Sequence, residues 1–189
     1  MAVMKSLCVM IIMAWTMRVG FVSAMVDYRE EIPFVPTPIE VVDRMLELAE
    51  VKKGDTIYDL GSGDGRIVIR AAKKYGTRGV GIEMDPTLIE KARKSAQVEG
   101  VSHLVEFRVE DALKTDISPA TVVTLYMLPW FNEAIKPNLQ KYLKPGSRIV
   151  AHDFGIEGWT PAKTEKLPEI DYRSGGYQHQ HVLYLWKID

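Results

Sequence analysis

The sequence has one cysteine, Cys8, so neither an internal disulfide nor a cysteine-rich zinc site can form within it. It has almost no net charge: 24 Lys and Arg against 25 Asp and Glu leave −1, which disfavours a general polyanion binder. It contains no internal repeat, no low-complexity tract and no linker inside the body of the chain. With 47% apolar and 26% charged residues, disordered, collagen-like and coiled-coil classes are excluded. What remains is an ordinary globular balance over 189 residues, room for one domain. A domain of that size buries roughly 70% of the surface its unfolded chain exposes and needs no covalent staple.

Residues 1–24 lack acids altogether and hold two bases, Lys5 and Arg18; without them the net charge is −3. The run from Ser6 to Met17 is apolar, follows a lysine, and leads to Val22-Ser23-Ala24, a small-x-small pattern of the kind signal peptidase cuts. Three readings stand: a secretory leader, an uncleaved anchor close to the ~20 residues a span requires, or a true start at Met25. They imply export, membrane anchoring through residues 6–24, or a cytoplasmic location, respectively. Cys8 lacks the small residues that precede a lipidated cysteine. The expected organisation is residues 1–24 as leader or anchor, 25–37 as an N-terminal segment, and 38–189 as the domain.

From Pro38 onward the chain alternates helix and strand. A helix starts at Pro38 with Thr37 as N-cap, and Val41, Val42, Met45, Leu46 and Ala49 recur at helical spacing. Strands are expected at 56–60, 79–83, 104–109, 121–126 and 148–153, with helices at 67–75, 86–99 and 132–143 between them. Gly76 and Gly100 suit helix C-termini. The tail differs: 168–173 and 181–187 read as extended segments around Ser174-Gly175-Gly176, a hairpin signal. The fold class is therefore α/β, a doubly wound, Rossmann-like seven-stranded sheet, mostly parallel with an antiparallel C-terminal hairpin.

In such a sheet ligands bind at the carboxyl ends of the strands. The first strand ends in Asp59-Leu60-Gly61-Ser62-Gly63-Asp64-Gly65. Its glycine spacing is G-x-G-x-G, not the G-x-G-x-x-G that seats a dinucleotide pyrophosphate. Asp59 and Asp64 flank the loop with negative charge, which repels phosphate and welcomes a cation. The second strand ends in Glu83, twenty-two residues after Gly61, where a carboxylate can take both ribose hydroxyls. The third runs into Glu110-Asp111-Ala112, where a carboxylate can accept from an exocyclic amine such as that of adenine. A cationic group, a ribose and an adenine without phosphates describe S-adenosylmethionine (SAM).

With these residues in place, the chain resembles a class I, seven-strand SAM-dependent methyltransferase over residues 33–189. The resemblance rests on the glycine loop, the acids ending the next two strands, and Leu143-Lys144-Pro145-Gly146 before the fifth strand. It implies a cofactor set of Asp59, Gly61, Ser62, Gly63, Glu83, Asp111 and Ala112. A narrower resemblance lies in the segments from Phe34 to Val42 and from Thr121 to Pro129. These are similar to a small family of protein lysine methyltransferases that act on the ATP synthase c-subunit or the adenine nucleotide carrier, with archaeal and bacterial relatives. It implies that Val35 to Thr37 close over the cofactor and that Tyr126 to Pro129 line the acceptor site.

Methyl transfer from a sulfonium is an in-line displacement in which positioning and desolvation carry catalysis. No metal is required, and none is expected; His179 and His181 form an H-x-H pair that strand alternation puts on one solvated face, with metal binding as the competing reading. Cytosine-C5 methylation needs a thiolate nucleophile, which Cys8 in the leader cannot supply. Adenine or glutamine amino-methylation usually follows an Asn/Asp-Pro-Pro-Tyr turn, where this chain has Met127-Leu128-Pro129-Trp130-Phe131.

A lysine amine, with a pKa of about 10.4, must lose a proton before attack, and an apolar aromatic channel favours that by desolvation. Tyr126, Trp130, Phe131, Phe154 and Trp159 fall after strands four and five, where such a channel would lie. Packing in the core or at its rim is the competing role for these aromatics. Tyr126 and Trp130 are the expected catalytic pair. His152-Asp153 either meets substrate or caps a following helix. The expected partner is a protein bearing a lysine, a membrane protein among the candidates, and not a nucleic acid. The alternatives are a small-molecule N- or O-methyltransferase, with residues 155–168 as its lid, and a SAM-binding protein without turnover.

Overall fold

The computed structural model describes residues 32–171 and 178–189. The leader reading of residues 1–24, most of the segment at 25–37 and the Ser174-Gly175-Gly176 turn expected from the sequence lie outside these residues wholly or in part. Four helices, α1 (Ile39–Leu48), α2 (Arg66–Tyr75), α3 (Pro86–Val98) and α4 (Pro129–Tyr142), alternate with strands β1 (Thr56–Leu60), β2 (Arg78–Glu83), β3 (Val105–Val109), β4 (Val122–Leu125) and β5 (Arg148–His152). Two more strands follow, β6 (Lys163–Asp171) and β7 (Gln178–Lys187).

The sheet order is β3-β2-β1-β4-β5-β7-β6. The first five strands are parallel, and β7 runs antiparallel to both neighbours. Strand order reverses between β1 and β4, which opens a crevice at their carboxyl ends.

Side-chain alternation along the buried strands feeds two layers at once. Tyr58, Leu60, Val123, Leu125, Ile149 and Ala151 pack with Phe131, Ile135 and Leu139 of α4. Their sequence neighbours Ile57, Val122 and Val150 pack with Val42, Met45 and Leu46 of α1. A third cluster joins α2 to α3 through Val68, Ala72, Ile89 and Ala92 around Phe107.

Opposite the crevice, Arg148 holds the amino ends of the strands together. Its guanidinium donates to both oxygens of buried Asp55 at 3.0 and 2.7 Å, and to the Ala49 carbonyl at 3.0 Å. Burial works against the Asp55 charge, but Arg148, Thr121 and the Lys52 N–H outweigh it and hold the carboxyl below its usual range.

Several elements depart from expectation. Helix α4 begins at Pro129, three residues early, because a proline at the first helical position loses no needed hydrogen bond and pre-sets φ. Thr37 does not cap α1; Pro38 occupies that position without a side-chain cap. β6 starts at Lys163, so the last six residues of the lid anticipated at 155–168 are edge strand. Pro168 falls where the β6–β7 register shifts between Lys166 and Glu169, a place where a missing ladder N–H costs little. Among the described residues no helix is long and apolar enough to cross a membrane.

Candidate active site

The glycine loop leaves β1 and enters α2. Gly65, the N-cap of α2, has φ of 78°, and a Cβ there would lie 2.6 Å from the Phe107 ring. Gly63 has φ of 54°, and a Cβ on it would lie 2.4 Å from the Phe34 ring. Both positions therefore demand glycine twice over, for backbone conformation and for space. The Gly61 and Ser62 N–H groups both donate to the Ile82 carbonyl at 2.9 Å, which ties the loop to the end of β2.

Asp59 is buried at 2% exposure, beside the crevice. Its Oδ1 accepts from Thr124 Oγ1 at 2.6 Å across the β1–β4 pair, and its Oδ2 has no hydrogen-bond partner among the described residues. Burial, with Glu83 and Asp64 adding like charge, pushes its pKa up to about 7; the Thr124 bond acts the other way. A buried carboxylate oxygen left open costs free energy unless a donor or a cation answers it.

Asp64 is different from what the sequence suggested. Arg66 grips it at 2.9 and 2.7 Å and Lys91 lies at 3.5 Å, so its charge is already answered and does not wait for a ligand. The uncompensated acid of the loop is Asp59.

Glu83 ends β2 with its carboxylate fixed by three backbone donors: Gly63 to Oε2 at 3.0 Å, and Met84 and Asp85 to Oε1 at 2.7 and 3.0 Å. Oε1 is thereby filled, and Oε2 keeps accepting capacity beside the glycine loop. Asp111 follows β3; its Oδ1 accepts from Leu113 N–H at 3.0 Å and its Oδ2 meets exposed Lys114 at 3.0 Å. Ala112 beside it is buried.

A second layer comes from the segment before α1. The Phe34 ring covers Gly63, Arg66 Nη1 donates to the Thr37 carbonyl at 2.8 Å, and Thr37 Oγ1 lies 3.3 Å from His152 Nδ1. Thr37 thus links the segment to the end of β5. Nothing in its sequence context signals that contact.

The expected aromatic cluster splits. Tyr126, just past β4, lies with its ring 4.0 Å from His152 and 6.4 Å from Phe154 in a stacked arrangement. Trp130 pairs instead with Phe131 at 5.9 Å, and Phe131 is core at 4% exposure. Trp159 accepts from the Trp186 indole through its carbonyl at 3.2 Å and packs on the core.

His152-Asp153 caps no helix, because the chain continues to β6 without one. His181 is buried at 1%, not on a solvated face, while His179 is exposed. Asn132, at 0% exposure, donates to the Phe154 and Gly155 carbonyls at 3.1 Å and was not anticipated.

Comparison with known proteins agrees with this geometry. A family model, the ANTKMT methyltransferase domain, matches residues 59–163. A protein-lysine N-methyltransferase of Saccharolobus islandicus is 42% identical over 160 residues, 84% of this chain and 96% of that protein. The human lysine N-methyltransferase of the ATP synthase c-subunit is 34% identical over 69% of the chain, which spans 55% of that protein's length. Among solved structures, a protein described as an RNA methyltransferase, from Salinibacter ruber with S-adenosyl-L-homocysteine bound, is 54% identical with a TM-score of 0.74; the match covers 82% of this chain and 94% of that one. The open Asp59 oxygen, the backbone-fixed Glu83 and the crowded glycines fit the same cofactor. The chain belongs to the ANTKMT methyltransferase domain family and is a SAM-dependent methyltransferase.

Proposed function

We propose that the protein methylates the side-chain amine of a lysine in a protein substrate. The observation that carries this reading is the 42% identity to a protein-lysine N-methyltransferase over nearly all of that relative's length. Further support comes from relatives named for two protein acceptors, the ATP synthase c-subunit and adenine nucleotide translocase.

SAM supplies the activated methyl on a sulfonium. In this reading Asp59 Oδ2 receives the cofactor's ammonium, and Glu83 Oε2 receives the ribose hydroxyls. Asp111 and Ala112 would border the adenine, Asp111 as acceptor for its exocyclic amine. The Gly61-Ser62-Gly63 backbone lets the cofactor approach, and the stretch from Phe34 to Thr37 covers it. Tyr126, with Phe154 stacked beside it, lines the acceptor path; Trp130 acts from the first turn of α4. An amine entering between aromatic faces loses hydration, which lowers its pKa and frees the lone pair for in-line attack.

A second reading is RNA as acceptor, favoured by the 54% identity to the Salinibacter ruber protein described as an RNA methyltransferase. The near-zero net charge gives no general attraction for phosphate. The test is incubation of the full chain with methyl-labelled SAM and separately fractionated protein and RNA of the source cells, with Asp59→Ala as control. Label recovered as methyl-lysine after protein hydrolysis supports the proposal. Label that is nuclease-sensitive, or that stays with small molecules, overturns it.

A further inference from the structure

Behind the acceptor side, three imidazoles converge on one carboxylate oxygen. His152 Nε2, His179 Nε2 and His181 Nδ1 lie 3.3, 3.0 and 3.4 Å from Asp153 Oδ2, and His152 Nε2 lies 2.8 Å from His181 Nδ1. The ligand atoms of His152, Asp153 and His181 all fall within 4.8 Å of one another.

Hydrogen bonding accounts poorly for this triangle. Each ring nitrogen carries either one N–H or one lone pair, and one N–H points at one acceptor. If either of His152 Nε2 and His181 Nδ1 donates its N–H to the other, the accepting nitrogen faces the Asp153 oxygen, 3.3 or 3.4 Å away, with a lone pair. If both nitrogens carry hydrogens, they oppose each other at 2.8 Å. A cation at the centre answers all three lone pairs at once. Donor atoms around a tetrahedral zinc, at about 2.0–2.1 Å each, are spaced about 3.3 Å from one another, close to the observed N–O edges.

The surroundings favour the same assignment. His152 Nδ1 lies 3.3 Å from Thr37 Oγ1, so that its other nitrogen can face inward, as metal-bound imidazoles are held. Asp153 Oδ1 accepts from Val182 N–H at 2.9 Å, which aims Oδ2 at the rings. Asp153 holds φ of 59°, a left-handed conformation uncommon outside glycine, at the point where β5 ends.

We propose that His152 Nε2, His181 Nδ1 and Asp153 Oδ2 form a binding site for a borderline divalent transition metal, zinc in the first instance, with His179 at its exposed rim. Two imidazoles and a carboxylate are a donor set suited to zinc, cobalt or iron(II) and poorly suited to calcium or magnesium. The site pins the end of β5 to β7 and, through Thr37, backs the segment over the glycine loop. It does not depend on the identity of the methyl acceptor.

The experiment uses the untagged full chain, stripped with a chelator and titrated with Zn²⁺ and then Co²⁺. The expected result is one equivalent bound per chain, with visible Co²⁺ absorption of a low-coordinate site. At a hundredfold excess over Kd, the melting midpoint should rise by roughly 5–10 °C. His152→Gln and His181→Ala should abolish binding, while His103→Ala, a histidine elsewhere on the chain, leaves it intact. Should His181→Ala not fold, judged by circular dichroism and SAM binding, the near-isosteric Asp153→Asn replaces it, with affinity expected to fall at least tenfold, roughly the loss seen on removing metal-site partners. No stoichiometric binding, or binding unchanged by these substitutions, overturns the proposal.

Discussion

Asp59 offers the sharpest test of how the cofactor site is built. Its carboxyl titrates at about 7 in the cofactor-free fold against 3.8 when exposed. A shift of that size corresponds to about 4 kcal/mol between the two protonation states. The folded state therefore binds a proton that the unfolded chain releases, and stability falls as pH rises from about 4 to about 7. Above that window the cofactor-free enzyme carries a buried, half-satisfied charge. Asp59→Asn removes the charge and keeps the shape, at the expense of about 1 kcal/mol for the weakened Thr124 bond. The variant should be more stable than the parent near pH 8 by about 3 kcal/mol, and no more stable near pH 4.

Cofactor binding runs the other way, since a cationic ammonium needs the ionised carboxylate. SAM affinity of the parent should rise about tenfold per pH unit up to about pH 7 and then level. Binding below that point should release close to one proton, measurable by calorimetry in buffers of different ionisation enthalpy. In Asp59→Asn both the affinity and its pH dependence should be lost. An affinity flat across this range, or a variant less stable than the parent near pH 8, would refute the assignment of the open Oδ2 to the ammonium.

Three further outcomes follow from the same geometry. Glu83→Ala should weaken SAM binding by roughly 10–100-fold, the worth of a hydrogen bond to a charged group plus the freed N–H groups of Gly63, Met84 and Asp85; unchanged affinity in calorimetry removes Glu83 from the site. Tyr126→Ala should lower kcat for methyl transfer more than it raises the Kd for SAM, and the reverse split would put the ring on the cofactor side. Arg148→Ala strands buried Asp55 and should cost about 3–5 kcal/mol in denaturant unfolding, with the SAM affinity of the folded fraction unchanged.

The parts of the molecule written in local chemistry were legible in the sequence. Asp59 through Gly65 announces a tight turn and its ligand side because glycine and acid spacing are local properties. The strands from β1 to β5 carry the apolar runs that a doubly covered sheet requires. The start of β6 was not legible: Lys163-Thr164-Glu165-Lys166 holds no apolar residue and lies on an edge strand, so no hydrophobic period marks it. Thr37 reads as a helix cap by position, yet its hydroxyl is taken by His152, 115 residues away. The convergence of His152, Asp153 and His181 depends on the antiparallel register of β7 against β5, in which His152 faces Leu183, and on the left-handed turn at Asp153. Register between distant strands is not a property of any short segment.

The insertion of β7 between β5 and β6 also sets an order of events during synthesis. When β5 has left the ribosome, its outer edge displays unpaired N–H and C=O groups, and the strand made next cannot cover them. Among the described residues β6 pairs with β7 alone, so neither the edge nor β6 settles until β7 emerges. The parallel half of the sheet can thus assemble while one apolar flank stays open, a nascent species prone to edge-to-edge association. When β7 slots into the gap it pairs with β5 and β6 together, so one strand closes the exposed edge of β5 and fixes β6 in place.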